Sequence, residues 1–149
     1  MKATRIGKAA LAAAVLVLTG GLWFGLSARA QEPISKQELA ARGKVTFRVY
    51  CASCHGPAAK GDGTLATLLK TKPTDLTLIA KKNKGTFPVE EVRRKVDGRE
   101  LVLAHGTTDM PVWGLSFQDP EKGGDQEAEV KVRLDQILAF LETIQAPAS

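Results

Sequence analysis

The sequence predicts an all-α fold in which four or five helices are joined by long loops. Apolar residues recur at spacings of three and four in the segments 35–51 and 127–144, and no segment shows the sustained alternation of a half-buried strand. Residues 104–125 lack periodicity and contain six glycines and prolines. Because loops of this length are uncommon in a small domain, we expect a component other than protein to organise the core.

Length, composition and charge narrow the class of protein. The chain has 149 residues, 44% hydrophobic and 25% charged, which is typical of one globular domain rather than of a disordered or multi-span membrane protein. The net charge of +5 is concentrated in residues 1–30, which hold four basic side chains and no acidic one. The remainder holds 17 basic and 16 acidic side chains, so we expect no nucleic-acid partner.

The first 30 residues have the pattern of a secretory signal peptide. Three basic side chains come first, followed by an uncharged apolar stretch over residues 9–26 and a small-x-small cleavage site at residues 28–30. The 18 apolar residues also reach the shortest length that spans a membrane, so retention as an N-terminal anchor is the alternative. In both cases we expect residues 31–149 to form the mature domain in the periplasm, held at the membrane if the anchor is retained.

The first and last helices have the strongest local signals. Ser35 and Glu38 form a capping box that begins the first helix, which we expect to end near Cys51. Four apolar or small residues share one face of it: Leu39, Gly43, Phe47 and Tyr50. The last helix is predicted over residues 127–144, with an apolar stripe of Val130, Leu134, Ile137, Leu138, Leu141 and Ile144.

Turn signals separate shorter helices between these two. Residues 65–69 and 76–82 each favour a short helix, the second capped by Asp75 or Thr74. Pro88, followed by acidic residues in the first turn, begins another helix, which Gly98 ends. Glycines and prolines indicate a loop over residues 55–64.

The chemistry of the sequence is concentrated in Cys51-Ala52-Ser53-Cys54-His55, a C-x-x-C-H motif that is the signature of c-type haem attachment. Two thiols three residues apart at the end of a helix can add to the two vinyl groups of one haem. His55 then lies under the iron as its proximal ligand. The motif uses both cysteines of the chain, so no thiol is left for a structural disulfide.

Other chemistries use the same residue types. A thioredoxin-like redox pair also has the C-x-x-C spacing, but it expects a βαβ context that this sequence does not show. Zinc could be bound by Cys51 and Cys54 with His55, His105 or both, although zinc ligands usually come from two separated pairs. Two inert thiols would be unusual in an oxidising compartment.

The sixth coordination position of the iron has two candidates. Met110 is the one methionine outside the leader, and His105 is the one histidine outside the motif. Met110 lies among glycines and prolines rather than on an apolar helical stripe, and Pro111 restricts its backbone. Histidine and methionine are also the common axial pair of haem attached in this way, so we favour Met110, with His105 as the alternative.

These residues resemble the class I c-type cytochromes, specifically the small bacterial monohaem periplasmic cytochromes. The resemblance covers about 35–145 and is strongest in three segments: Gly43-x-x-x-Phe47-x-x-x-Cys51-x-x-Cys54-His55-Gly56, Lys72-Pro73-x-Asp75-Leu76, and His105-Gly106 with Met110-Pro111-x-Trp113-Gly114. It implies a cytochrome c fold around one haem c, attached at Cys51 and Cys54, with His55 and Met110 as axial ligands. It also implies that the first and last helices cross at Gly43, against Phe140 or Leu141.

With both axial positions filled, no position is open for a substrate, so we expect an electron carrier rather than an enzyme. The expected partners are redox proteins, including membrane-bound respiratory complexes, and the alternative is a haem c subunit of a larger oxidoreductase complex. A haem enzyme or sensor with a displaceable Met110 is a third hypothesis.

Residues 31–100 hold 14 basic and 8 acidic side chains, whereas residues 101–149 hold 3 basic and 8 acidic ones. This asymmetry favours docking to an acidic surface through Lys60, Lys70, Lys72, Lys81, Lys82 and Lys84.

Overall fold

The computed structural model describes residues 33–100 and 110–147, and this part of the chain is helical and contains no β-strand. The all-α prediction is therefore confirmed. The helices are α1 (Lys36–Tyr50), α2 (Ala52–His55), α3 (Ile79–Lys82), α4 (Val89–Asp97), α5 (Trp113–Ser116) and α6 (Gln126–Thr143). Single 3-10 turns occupy Ala66–Leu68, Leu76–Leu78 and Pro120–Lys122. The signal segment predicted over residues 1–30 and the candidate ligand His105 lie outside the described residues.

The predicted capping box begins α1, although only half of it forms. The backbone N–H of Glu38 donates to Oγ of Ser35 at 3.1 Å, which satisfies one of the free donors at the start of the helix. The Glu38 carboxylate pairs with Arg42 one turn later, at 2.7 Å, instead of returning to the Ser35 backbone. α1 ends at Tyr50, as expected, and the N–H of Cys51 donates to the carbonyl oxygen of Phe47 at 2.8 Å.

The core forms where α1 crosses α6. The predicted stripe of α6 is buried at Val130, Leu134, Ile137, Leu138 and Leu141, and Ile144 is partly buried. Gly43 permits the crossing, because a Cβ there would overlap the carbonyl oxygen of Gln136 and lie 2.9 Å from the Cβ of Phe140. One turn later the rings of Phe47 and Phe140 are 5.3 Å apart. The expected crossing at Gly43 is therefore present, with Phe140 as the neighbour.

α4 packs against both α5 and α6. Val92 is buried within the core cluster, and Arg93 donates to Asp135 of α6 at 2.7 Å. The helix ends at Gly98, which has a φ of +75° and whose N–H donates to the carbonyl oxygen of Arg94. A left-handed residue of this kind is the common end of a helix, which confirms the stop that the sequence predicts there.

The shorter predicted elements have the expected positions but differ in type. Residues 65–69 contain a 3-10 turn, and residues 76–82 combine a 3-10 turn with α3. Asp75 is the cap of the latter, since the N–H of Thr77 donates to its Oδ1 at 2.9 Å. In the described part of the loop predicted over 104–125, α5 and a 3-10 turn are additional, because single turns leave no periodicity in a sequence. Within the described ranges, no helix has the length and apolar character that a membrane crossing requires.

Candidate functional site

The C-x-x-C-H motif forms one helical turn at the end of α1. The N–H groups of Cys54 and His55 both donate to the carbonyl oxygen of Cys51, at 3.2 and 2.9 Å. Both cysteines are free thiols and are partly buried. Residues three apart on a helical turn share a face, so the two sulfur atoms are presented on the same side. This arrangement suits attachment of one planar group at two points.

A glycine-rich loop closes on this turn and holds it. Three backbone N–H groups of the loop donate to carbonyl oxygens of the turn: Gly61 to His55, Gly63 to Cys54 and Leu65 to Ser53, at 2.8, 3.2 and 2.8 Å. Gly56 starts the loop with a φ of +79°, and a Cβ there would overlap the carboxylate of Asp62. The carbonyl groups at a helix end ordinarily lack partners, so these bonds fix the turn in place.

His55 is oriented by the backbone of Thr74. Its Nδ1 lies 3.2 Å from the Thr74 carbonyl oxygen, which can only accept a hydrogen bond. Nδ1 therefore bears the proton, and Nε2 is left with a lone pair. Burial lowers the pKa of His55, against the smaller opposing effect of the bond to Thr74, and so favours the neutral ring. A neutral imidazole whose Nδ1–H is fixed by a carbonyl group is the form that ligates a metal through Nε2.

The environment of Cys51 bears on the alternative chemistries. Burial raises the pKa of the Cys51 thiol to about 12, and the neighbouring Cys54 adds to the effect. Reactive cysteines of redox enzymes have lowered pKa values, so this environment does not favour a thioredoxin-like pair. In residues 33–100 and 110–147, no three His, Cys, Asp or Glu side chains are grouped to hold a metal ion. The zinc alternative therefore depends on His105, outside these ranges.

The residues 110–118, which we call the Met110 segment, lie against the end of α1. Trp113 presents its ring at 5.7 Å from the ring of Tyr50, in an edge-on contact. The ring of Phe117 lies 5.3 Å from each of these two rings. Tyr50 immediately precedes Cys51, so the aromatic cluster brings the Met110 segment beside the turn that holds the thiols. Met110 itself is half-buried.

A charged network that the sequence analysis missed links α4 to α6. Arg99 donates to Asp97 through Nε and Nη2, both at 2.8 Å. It also donates to Glu127 through Nη1 at 2.7 Å and Nη2 at 3.1 Å. We call these three residues the Arg99 network. The hydrogen bond from Arg99 lowers the pKa of Asp97, against the smaller opposing effect of burial, so this carboxylate is ionised at pH 7.

The Arg99 network touches the backbone of the Met110 segment. A Cβ on Gly114 would overlap the carboxylate of Asp97, so the two groups are in direct contact. Gly98, which lies between the two charged residues of the turn, packs on Val112: a Cβ there would lie 3.3 Å from the Cα of Val112. The segment that begins with Met110 is thus supported by the turn that follows α4.

The residues present fit a covalently attached haem. Two adjacent thiols, an imidazole with a free Nε2 and a half-buried thioether are the groups that bind haem c. Large apolar side chains pack on the core with one side and stay partly exposed: Leu76, Ile79, Phe87, Val96 and Trp113. Leu65 and Leu68, which follow the motif, are 44% and 78% exposed. Exposed leucines are common on protein surfaces, so they do not by themselves indicate a ligand, but an apolar planar group bound beside the motif would have apolar side chains to pack against.

Comparison with known proteins agrees with this chemistry. The model of the family described as "Cytochrome C oxidase, cbb3-type, subunit III" matches residues 38–124. The match covers more than half of the chain and includes the C-x-x-C-H motif, Met110 and all the helices from α2 to α5. No curated protein and no solved structure matches significantly.

Proposed function

Because the chain belongs to the family described as cytochrome C oxidase, cbb3-type, subunit III, and so is a c-type cytochrome with covalently bound haem c, we propose that it transfers single electrons between redox partner proteins. In this proposal Cys51 and Cys54 would attach the haem, and His55 and Met110 would be the axial ligands of its iron. Bound haem c supplies a one-electron change of its iron between Fe(III) and Fe(II). The residues of the chain orient the ligands, limit access of water and present a surface for docking.

The main support is the hydrogen bond between Nδ1 of His55 and the carbonyl oxygen of Thr74. His55 directly follows Cys54, so this bond orients an imidazole next to one of the two thiols. This bond fixes which nitrogen bears the proton and which way Nε2 points. The backbone N–H groups of Gly61 and Gly63 also donate hydrogen bonds to the carbonyl oxygens of His55 and Cys54, so the glycine-rich loop after the motif holds the same turn. A ligand whose orientation is fixed in advance needs little rearrangement when the charge of the iron changes.

We assign Met110 rather than His105 as the second axial ligand. Met110 is half-buried, and Trp113 and Tyr50 hold its segment beside the motif. A thioether is a softer and weaker donor than an imidazole, so it favours Fe(II) and raises the reduction potential. If His55 and Met110 both bound the iron, no coordination position would be left for a substrate, which would favour a carrier over an enzyme.

We propose a basic docking surface for the redox partner. Six lysines between the motif and α4 are all exposed: Lys60, Lys70, Lys72, Lys81, Lys82 and Lys84. The pKa of Asp75 is lowered mainly by hydrogen bonds from Thr77 and, to a smaller extent, by Lys60 and Lys82, so these two lysines lie near one carboxylate. A cluster of like charges steers an oppositely charged partner during diffusion. The expected partner therefore has an acidic surface.

A second candidate is a haem c subunit of a larger oxidoreductase complex. The matching family is described as an oxidase subunit. In addition, three valines that border one groove between α1 and α6 are exposed: Val45 at 64%, Val49 at 66% and Val132 at 51%. Contiguous exposed apolar side chains often mark a protein interface. Isolation from native membranes and periplasm separates the two, because a free monomer supports the carrier and a stable complex supports the subunit. In either case we propose a periplasmic location, on the signal pattern of residues 1–30.

The carrier proposal is tested by titrating the purified holoprotein with reductant while the potential and the visible spectrum are recorded. A single transition that fits the transfer of one electron is expected. Carbon monoxide added to the ferrous protein should leave the spectrum unchanged, whereas Met110→Ala, the positive control, should bind it. Binding by the wild type would overturn the proposal and indicate a haem enzyme or a gas sensor with a displaceable ligand.

A further inference from the structure

The Arg99 network (Asp97, Arg99 and Glu127) is not among the residues proposed above to bind the haem or a partner, yet it is the most extensively hydrogen-bonded charged group in the described residues. One guanidinium donates four side-chain hydrogen bonds to two carboxylates, at 2.7 to 3.1 Å. The side chains of Arg99 and Asp97 are 30% and 19% exposed, so solvent screens this pair only in part. Charge-assisted, bidentate hydrogen bonds between arginine and a carboxylate are stronger and more directional than hydrogen bonds between neutral groups.

The network restrains the Met110 segment at two points of its backbone. Gly114 is in contact with the Asp97 carboxylate, and Val112 is in contact with Gly98. These positions are four and two residues after Met110. Gln118, at the end of the same segment, also donates to Glu127 at 3.1 Å. Because the contacts reach backbone atoms, a shift of the network moves the chain that follows Met110 rather than a single side chain.

We propose that Arg99 is a positioning residue for Met110: the Arg99 network holds the Met110 segment so that the thioether stays on the iron. The inference rests on the proposed ligation of the iron by Met110. Loss of the network increases the fraction of molecules in which Met110 has left the iron. An external ligand that competes for that position then binds more tightly, because its apparent affinity scales with the fraction of molecules that can accept it.

The test is a titration of the ferric holoprotein with imidazole, followed by the loss of the near-infrared sulfur-to-iron band. In Arg99→Ala the apparent affinity for imidazole should rise about tenfold, the lower end of the effects seen when groups that support metal ligands are removed. The matched control is Arg93→Ala. Arg93 also joins α4 to α6 through an ion pair at 2.7 Å, and its side chain is 26% exposed. It lines a groove with residues of α1 and α6, and no residue of the Met110 segment borders that groove. Its affinity for imidazole should stay within about twofold of the wild type.

Two further variants separate positioning from general stability. Arg99→Lys retains the positive charge, but an ammonium group cannot hold two carboxylates in a fixed geometry. Its apparent affinity for imidazole should therefore also be higher than that of the wild type. Glu127→Gln alters the most exposed member of the network, whose side chain is 63% exposed, so the variant protein should fold normally. Its apparent affinity for imidazole should rise as in Arg99→Ala, but by a smaller factor. Equal affinities in Arg99→Ala and Arg93→Ala, with the band present in the wild type, would overturn this inference alone. A wild-type protein without the band would overturn the ligation by Met110 and this inference with it.

Discussion

The backbone of Gly43 in α1 lies against the carbonyl oxygen of Gln136 in α6, so closely that no side chain fits between the two. The contact sets the distance between the two long helices, and the side chain of Thr46 adds a hydrogen bond to Gln136 at 3.3 Å. Since α1 continues directly into the turn that holds Cys51 and His55, the same contact fixes the position of the motif relative to the core.

Gly43→Ala should therefore lower the free energy of unfolding of the holoprotein by about 1–3 kcal/mol, the usual cost of overpacking a core. In an unpacked helix the same change would raise stability by about 1 kcal/mol, so the sign distinguishes the two situations. Ala41→Gly, on an exposed part of α1, is the reverse substitution and should cost only the helix propensity. Denaturant unfolding measures both, and an unchanged or raised stability in Gly43→Ala would contradict the close crossing.

Covalent attachment predicts how the haem responds to extraction. The wild-type protein should keep its haem through treatment with acidified acetone, because two thioether bonds join it to the chain. Cys51→Ala should retain at most one bond, and the double variant Cys51→Ala/Cys54→Ala should lose all its haem to the solvent. Ser53→Ala, which alters one of the two residues between the thiols, should behave as the wild type. Intact mass spectrometry and the haem content of the extracted protein measure these outcomes, and loss of haem from the wild type would contradict attachment at these thiols.

The parts of the fold that the sequence predicts are those with a local signal. The Ser35 cap, the stripe of α6 and the end of α4 at Gly98 each depend on residues close in sequence, and all three are present. The C-x-x-C-H motif is of the same kind, since its spacing alone indicates its chemistry. Single turns such as α5, which has four residues, fall below the length at which periodicity can be detected in a sequence.

The parts that the sequence does not predict depend on contacts between distant residues. Arg99 and Glu127 are 28 positions apart, and neither lies in a motif or an apolar stripe. The acceptor for His55 is a backbone carbonyl group, so the identity of the side chain at Thr74 contains no information about it. Such bonds become visible only when the chain is folded, although they are the ones that orient His55 and support the Met110 segment.

The pKa of Asp97 predicts a dependence of stability on pH. The hydrogen bond from Arg99 lowers this pKa in the folded protein, so the contribution to stability is fully present above the unfolded value of about 4 and is lost as the pH falls through the folded value. Asp97→Asn should cost about 1 kcal/mol at pH 7 and progressively less as the pH falls below about 4. Unfolding by denaturant at a series of pH values measures the difference. Glu91→Gln is the control. The hydrogen bond from Lys95 lowers the pKa of Glu91 in the same direction, but both side chains are more than half exposed, so solvent screens the pair and the departure from the wild-type curve should be much smaller.

The proposed basic surface predicts a rate that depends on charge and on salt. Lys72→Glu/Lys82→Glu should slow oxidation of the ferrous protein by the anion hexacyanoferrate(III) roughly tenfold at low ionic strength, because the field no longer attracts the oxidant. The difference should shrink as salt is added. Lys44→Glu/Lys36→Glu makes the same change of charge on α1, where both lysines are exposed, and should be less affected. Stopped-flow absorbance gives the rates, and equal slowing in the two pairs would show that only the net charge matters.

The assignment of the sixth ligand is the prediction with the most direct spectroscopic consequence. The ferric wild-type protein should show the weak near-infrared sulfur-to-iron charge-transfer band that is expected of histidine–methionine ligation in c-type cytochromes. Met110→Ala should abolish the band. It should also lower the reduction potential by on the order of 100 mV, a fraction of the roughly 0.8 V range that axial ligands cover, because a ligand that favours Fe(II) is lost. Met110→His should keep the iron six-coordinate and also lower the potential.

His105→Ala is the matched control, since His105, five positions before Met110 in the sequence, is the competing candidate. It should leave both the band and the low-spin spectrum in place. If His105→Ala destroyed the low-spin spectrum while Met110→Ala left it unchanged, His105 would be the ligand, and the role proposed for Arg99 in holding Met110 would fail with the assignment. A band that is only shifted by His105→Ala would instead indicate that His105 lies near the ligand and alters the position of Met110 without binding the iron.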